Sequence, residues 1–548
     1  MRHGLLAIVG ATLATGLIAG GCTGAESTDG DTDRAGGTTD AALGPDYGGT
    51  LTYAIAAESS GGWCLPEAQL VMPGVQVARA VYDQLAAPDD NGDIVPFLAE
   101  SITPNDTYDV WTITLREGIE FHDGTPLDAE VVKNNLDAYR GAYPNRTSLL
   151  FRFVLDNIES VQALDERTVE VRAATPWVAF PWYLWNDGRM GIVAQSQLDD
   201  PDTCDAELVG TGPFVAGDWQ VNESFTMTRN DNYWLSDDAG NRLPFLDGVE
   251  FRPVIEGSTR VNMLEADEVD VIHTATAADI EILEEVGGID VEVVSDGNGV
   301  SYFQLNSGDG AIFSNQNARL AAAYAINREQ IRAVIGLDTT EPAEGPFAPG
   351  EMGYLKDTGY PDYDPERARE LVQQVEAELG RPFEVTIMTV PGGEGSVDQV
   401  QEMFEDVGIQ VNRQTFEATA FIEQALAGSY DLMTVANHAA GDPDLQAIWW
   451  KSTSPVNLGK INDPDLDALL QDGRVSTDPV ERNSIYQDVS RLFGERVYNL
   501  WQSYVRWAVA SRSNVHGLWD SPLPDGNPPT ANLSAGHSLA ATWIEAGS

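Results

Sequence analysis

The run from Trp111 to Tyr139, WTITLREGIEFHDGTPLDAEVVKNNLDAY, constrains the fold more than any other stretch of the chain. Trp111, Ile113 and Leu115 alternate with Thr112 and Thr114, which is the two-residue period of a half-buried strand. Gly118 ends that strand, Asp123-Gly124 is a turn signal and Pro126 suits an early bend. Asp128 then stands where it can cap a helix whose Val132, Leu136 and Tyr139 share one face. A strand, a hairpin and a helix therefore follow one another in a single short run.

Within that run, Phe121-His122-Asp123-Gly124-Thr125-Pro126 is the most specific part. The whole resembles the signature of the family 5 extracellular solute-binding proteins, the peptide-, oligopeptide- and nickel-binding receptors of ABC importers. Val131 departs from the acid usual in the family, so a reciprocal capping box is missing and Asp128 and Glu130 alone favour the helix start. His122 reads as a structural histidine tying down a turn, in preference to a catalytic or metal-binding one. The motif identifies a fold and does not hold a ligand.

Further phrases arrive in family order. Leu51 to Ala56 reads as an opening strand and Val75 to Leu85 as a helix ending in Tyr82-Asp83-Gln84-Leu85, followed by Pro96-Phe97-Leu98-Ala99-Glu100-Ser101. Val161 to Arg172 alternates as a strand, and the aromatic run Thr175 to Trp185 reads mostly as core, with Trp182 or Trp185 facing a cleft as the minority alternative. Val209-Gly210-Thr211-Gly212-Pro213-Phe214, then Trp219 and Arg229 to Trp234, resemble a second family signature. Its glycines lack the Lys and Ser or Thr of a phosphate loop and instead permit tight backbone. Tyr302 to Ser307 and Asn317 to Glu329 resemble a third signature, and Asp364-Pro365 reads as a helix cap with proline at the first position. Phe383 to Phe416 then alternates strand, helix and strand.

The resemblance runs from about Gly48 to about Val515 and implies an α/β, two-lobed periplasmic-binding-protein-like fold of type II, cluster C-like, with an extra subdomain in the first lobe. The expected division is 48–78 plus 207–298 plus 500–548 for the main part of lobe I, 79–206 for the extra subdomain and 299–499 for lobe II. The crossing is expected near Gly299 and the return near Leu500.

At the start of the chain, Arg2 and His3 precede an apolar run from Leu5 to Ile18, the length of a signal-peptide core. Ala19-Gly20-Gly21-Cys22 resembles a bacterial lipoprotein box, so residues 1–21 are expected to be a signal peptide and Cys22 the lipidated first mature residue; an ordinary secretory signal is the alternative. Residues 22–47, rich in Thr, Asp and Gly, are expected to be a flexible tether. The protein is then exported and anchored to the outer face of the cytoplasmic membrane, or periplasmic. With Cys22 taken by lipid, Cys64 and Cys204 remain, and an oxidising compartment favours their pairing. A balance of 31 Lys plus Arg against 86 Asp plus Glu, a net charge of −55, argues against nucleic acid or anionic lipid as a partner for a basic face.

Two-lobed receptors bind in the cleft and bury the ligand on closing. In peptide-binding relatives, an Asp in a "W-x-x-D" run before a "DP" pair accepts the peptide ammonium. Here the corresponding run is Ala436 to Asp444, with Ala436 in place of the Trp and Ala439 in place of the Asp, so free α-amino recognition is in doubt. Asp442 and Glu58 are the candidate replacements, and His438 is either a ligand donor or a loop histidine bonded to backbone. Trp63 and Asn306 complete the expected ligand-binding set of Glu58, Trp63, Asn306, His438 and Asp442, while Trp449 and Trp450 read as core.

The chain thus reads as a monomeric, lipid-anchored receptor that gives a peptide-like or other small organic solute to ABC permease subunits, with no cofactor and no resident metal. The same fold with an oligosaccharide or metallophore-bound metal as ligand, or acting as a sensor or scavenging receptor, is the alternative. A secreted hydrolase is remote, since neither a G-x-S-x-G elbow nor an H-E-x-x-H run is present.

Overall fold

Leu51, Tyr53 and Ile55 are all buried, because the strand that carries them, Thr50–Ile55, lies inside a sheet between two parallel neighbours, Gly248–Pro253 and Val271–Thr274. In the computed structural model, which describes residues 44–59, 62–68, 70–294, 299–334, 341–390, 393–437, 441–530 and 537–545, this sheet has seven strands. Their order is Ile289–Val294, Trp507–Arg512, Val271–Thr274, Thr50–Ile55, Gly248–Pro253, Ser224–Arg229 and Phe214–Gln220. Cys22 and the rest of residues 1–43 lie outside the described residues.

A four-stranded antiparallel sheet, ordered Ala99–Pro104, Val110–Leu115, Thr168–Ala173 and Ile158–Ala163, forms a subdomain between Val81 and Val209. The helix Ala129–Tyr139 lies on it and starts at Asp128, whose Oδ1 accepts the Val131 N–H at 2.9 Å. The stretch from Val161 to Arg172 is not one strand but the greater part of a hairpin. Asp165 accepts the Arg167 N–H at 2.9 Å and Leu164 N bonds Thr168 O at 2.8 Å, so an Asx-type turn interrupts the alternation.

The first two signatures meet at His122. Its Nε2–H donates to Gly212 O at 2.9 Å and its backbone N–H donates to Gly210 O at 2.9 Å. Burial holds its pKa below the ordinary value, which keeps the ring neutral and leaves Nδ1 to accept from Gly210 N at 3.4 Å. A Cβ at Gly210 would lie 2.1 Å from Val81 O, so only glycine admits this approach.

The second lobe is a five-stranded sheet ordered Gln410–Thr415, Glu384–Thr389, Leu432–Asn437, Val300–Leu305 and Asn499–Tyr504. The last strand corrects the return expected near Leu500. Asn499–Tyr504 pairs with Val300–Leu305, so the chain leaves this lobe only after Tyr504 and enters the seven-stranded sheet at Trp507. Apolar Leu500, Trp501 and Tyr504 belong to the second core, which is why the strand stays there.

Candidate ligand cleft

Strand direction places the cleft. In the first sheet, the parallel strands Thr50–Ile55, Gly248–Pro253 and Val271–Thr274 end at one edge, where the antiparallel strand Trp507–Arg512 begins. In the second sheet, Glu384–Thr389, Gln410–Thr415 and Leu432–Asn437 end at one edge, where Val300–Leu305 begins opposite Asn437. Both crossing segments sit at these edges, bound to one another by Val505 N–H to Gly299 O at 3.0 Å. The two sheets thus turn their carboxyl ends to a common space, the position at which open α/β sheets bind ligands.

The loop after Asn437 is held by two aspartates on either side of Pro443. Asp442 takes a two-pronged pair with Arg482, Nη1 to Oδ2 at 2.5 Å and Nη2 to Oδ1 at 2.6 Å, and its Oδ1 also accepts the Asp444 N–H at 2.9 Å. Asp444 is wholly buried and reaches the other lobe: its Oδ2 accepts from Trp177 Nε1 at 2.9 Å and Tyr183 OH at 3.0 Å, while Arg474 Nε donates at 2.9 Å from its own lobe. Burial alone lowers the pKa of Arg474 and of Arg482, but the adjacent carboxylates outweigh it and hold both well above the ordinary value. Trp182 closes the contact, since a Cβ at Gly441 would lie 2.0 Å from its ring and Gly441 itself has a φ of +73°. Leu445, Ile448 and Val456 from the second lobe join the first lobe's apolar core, so the lobes are shut against each other here.

Among the described residues, a cavity of about 10 Å³ beside the crossing is lined by Gly299, Phe347, Glu351, Gly441, Asp442 and Gln446. That is room for one water at most. Burial raises the Glu351 carboxyl to about 7, against a 2.5 Å bond from Ala348 N–H, and Asp187 of the first lobe pushes it further up. Asp187 is itself raised to about 6 by burial, with Arg189 opposing.

The expected site residues scatter against this geometry. Asp442 lies in the cleft, but both its oxygens are engaged by Arg482, so it does not stand ready for an ammonium. Glu58 follows the first strand and accepts from Asn222 N at 2.9 Å and Trp219 Nε1 at 3.3 Å, which commits it to the adjoining hairpin of its own lobe. Trp63 is not a cleft residue. It is fully buried against Trp219 and Phe225, with ring centroids at 6.0 and 5.5 Å, beside the Cys64–Cys204 disulfide whose Cα atoms lie 5.0 Å apart.

Asn306 is also misplaced by the sequence reading. The strand Val300–Leu305 runs away from the crossing, and about 3.3 Å per residue carries Asn306 roughly 20 Å to the far edge of the sheet. There its Nδ2 donates to Gly428 O at 3.2 Å and Tyr430 O at 3.0 Å. His438 and Ala439 lie outside the described residues. The residues that sequence reasoning missed are Trp177, Tyr183, Asp444, Arg474 and Arg482; only the Asp442-Pro443-Asp444 run gave a local signal for any of them.

Residues 93–458 match the model of the bacterial extracellular solute-binding proteins, family 5 Middle. Among characterised sequences, the chain is similar to di/tripeptide-binding protein 2 of Pseudomonas aeruginosa (strain UCBPP-PA14), 24% identical with 81% of this chain and 88% of that one covered. It is similar to the glutathione-binding protein GsiB of Escherichia coli O157:H7, 27% identical over 81% and 87%. Among solved structures, the periplasmic binding protein AgaA from A. tumefacien R10, in complex with agropinic acid, superposes with a TM-score of 0.78 at 25% identity, covering 91% of this chain and 99% of that one. The binding protein DppA of Helicobacter pylori, solved with peptide STSA, shares the fold at a TM-score of 0.78 and 22% identity, covering 91% and 99%. Two lobes with carboxyl edges facing, motifs in order and a family match over most of the chain lead to one conclusion: the protein belongs to the family 5 bacterial extracellular solute-binding proteins of ABC importers.

Proposed function

We propose that the chain is a lipid-anchored receptor, tethered through Cys22, that captures a peptide-like or other small organic solute between its lobes and hands the closed form to an ABC permease. The observation that carries this reading is Asp444, which joins Trp177 and Tyr183 of one lobe to Arg474 of the other beside the facing carboxyl edges. A solute held between the facing edges and this clasp both draw the lobes together. The work asked of the protein is differential affinity, with no covalent step.

The solute has no free ammonium at the position used by peptide-binding relatives. Ala436 and Ala439 bring no carboxylate there, and Asp442 is engaged by Arg482. A peptide-like ligand whose amino end is blocked or absent avoids the cost of a buried unpaired charge, several kcal/mol in order of magnitude. Likeness to a receptor solved with agropinic acid favours, as a second reading, a non-peptide organic acid.

Native mass spectrometry of the soluble body from about Gly48, compared with the denatured mass, is the test. A retained peptide with a free α-amino group would refute the anchor argument. A retained blocked peptide supports the first reading, and a retained non-peptide acid supports the second. An empty cleft that no solute in a thermal-shift screen stabilises would count against the receptor itself.

A further inference from the structure

Elsewhere in the first lobe, two buried basic side chains line one cavity, and one of them has nitrogen atoms that no group among the described residues meets. Arg79 and His537 are each 7% exposed. Nε and Nη1 of Arg79 are buried without a hydrogen-bond partner among the described residues, while His537 turns its ring to the Leu518 carbonyl, which accepts from it. The cavity they line, with Trp185, Trp519, Ser521 and Ser538, has a volume of about 30 Å³. That admits a monatomic ion or one or two waters and nothing much larger.

The chemistry of the two Arg79 nitrogens is one-sided. A guanidinium has only N–H donors, so its partner must be an acceptor. The carboxylate that compensates Arg79 through space, Asp83, directs its oxygens elsewhere: it accepts from Trp234 Nε1 at 2.9 Å, Thr211 Oγ1 at 3.1 Å and Tyr233 OH at 3.4 Å. Arg79 instead stacks on Trp185, its Cζ 4.7 Å from the ring centroid, with Nε–H and Nη1–H unmet. His537 packs on Trp519 at 4.8 Å, and burial holds its pKa down at about 3, with Arg79 acting in the same direction, so the ring is neutral and its one N–H goes to the Leu518 carbonyl. On the same wall Ser538 Oγ–H donates to Ser521 Oγ at 3.1 Å, which leaves the Ser521 hydroxyl proton to turn inward. A buried cation with unmet donors is costly, and a small anion removes both penalties at once. Water would meet the donors and leave the charge without a contact partner.

We infer that the first lobe carries a buried site for a small monovalent anion of the halide class, held by Arg79 Nε–H and Nη1–H in the cavity that His537 helps to line. Its chemistry differs from that of the solute cleft, and its occupancy does not depend on which solute the receptor carries.

Crystals of the protein grown in sodium bromide and measured at the bromine absorption edge distinguish ion from water. An anomalous peak in this cavity, within about 3.5 Å of Arg79 Nη1, is the expected result. Density without anomalous signal is water and overturns the proposal. In solution, raising chloride from 5 to 500 mM at constant ionic strength, with gluconate as the replacement, should raise Tm by about 2–4 °C. Exclusion of gluconate from protein surfaces acts in the opposite sense, so it cannot imitate this rise. Arg79→Met should abolish the chloride response, and a response that survives in that variant also overturns the proposal. Should Arg79→Met fail to fold, the bromide experiment on the unaltered chain still separates a bound anion from water.

Discussion

The two edges of the five-stranded sheet make opposite impressions. The outer edge, beyond Leu305 and before Leu432, opens into a polar depression of about 690 Å³ lined by Asn306, Gln414, Asp431 and Lys460. At the inner edge, the cavity among the described residues beside Gly299 and Asp442 is about 10 Å³. Size points outward, but topology points inward, because parallel strands from both lobes end at the inner edge and both crossing segments pass there. A receptor in its shut state has its binding space closed, so the larger hollow is the poorer guide to function.

Removing Asp444 should break this comparison most visibly. Asp444→Ala leaves Arg474 buried without its carboxylate and frees Trp177 and Tyr183 of the opposite lobe. We expect a loss of about 3–5 kcal/mol in chemical denaturation, together with a larger radius of gyration by solution scattering as the lobes part. Unchanged scattering would mean that the clasp is a static interface. Asn306→Ala at the outer edge deletes two bonds to Gly428 and Tyr430, at a cost of about 1–2 kcal/mol, and should leave the scattering as it was.

Between these two effects falls the disulfide. Cys64 and Cys204 close a loop of 140 residues that contains the whole four-stranded sheet. Replacing both by Ser should cost about 2–5 kcal/mol, read as a lower denaturant midpoint. The radius of gyration should not change, since the bond ties parts of one lobe. An opening of the lobes in this double variant would show that the first lobe's rigidity also sets closure.

Much of the fold was legible because its signals are local. Asp128 and Asp364 cap helices in which the partner N–H lies three residues on, and the alternation from Trp111 to Leu115 needs only its own strand. The site was less legible because its partners are remote. Nothing near Asp442 announces Arg482, forty residues later, and nothing near Asp444 announces Trp177. Asn306 was drawn to the cleft by its nearness in sequence to the crossing, whereas the direction of one strand sends it to the opposite edge. Trp63 was drawn there by its place after the first strand, yet the chain around Cys64 turns it into the core. Val161 to Arg172 misled for a simpler reason: a turn at Asp165 preserves alternation on both sides.

The smallest effect separates the edges by pH. Burial raises the Glu351 carboxyl from 4.5 to about 7 and Asp187 across the cleft adds to it, so the folded, shut protein binds this proton more tightly than the unfolded chain. A raised carboxyl is neutral in both states below pH of roughly 4.5, and its cost to stability grows as pH rises through about 7. Glu351→Gln removes that cost, so we expect Tm to match the parent at pH 4.5 and exceed it by about 1–3 °C at pH 8. Asp431 at the outer edge is raised as well, chiefly by burial, with the Thr386 N–H opposing, and no group of the first lobe takes part. Opening the lobes with Asp444→Ala should therefore shrink the gain from Glu351→Gln and leave that from Asp431→Asn untouched. Equal shrinkage of both would show that the two edges are coupled through the sheet, and that Glu351 does not sense the other lobe directly.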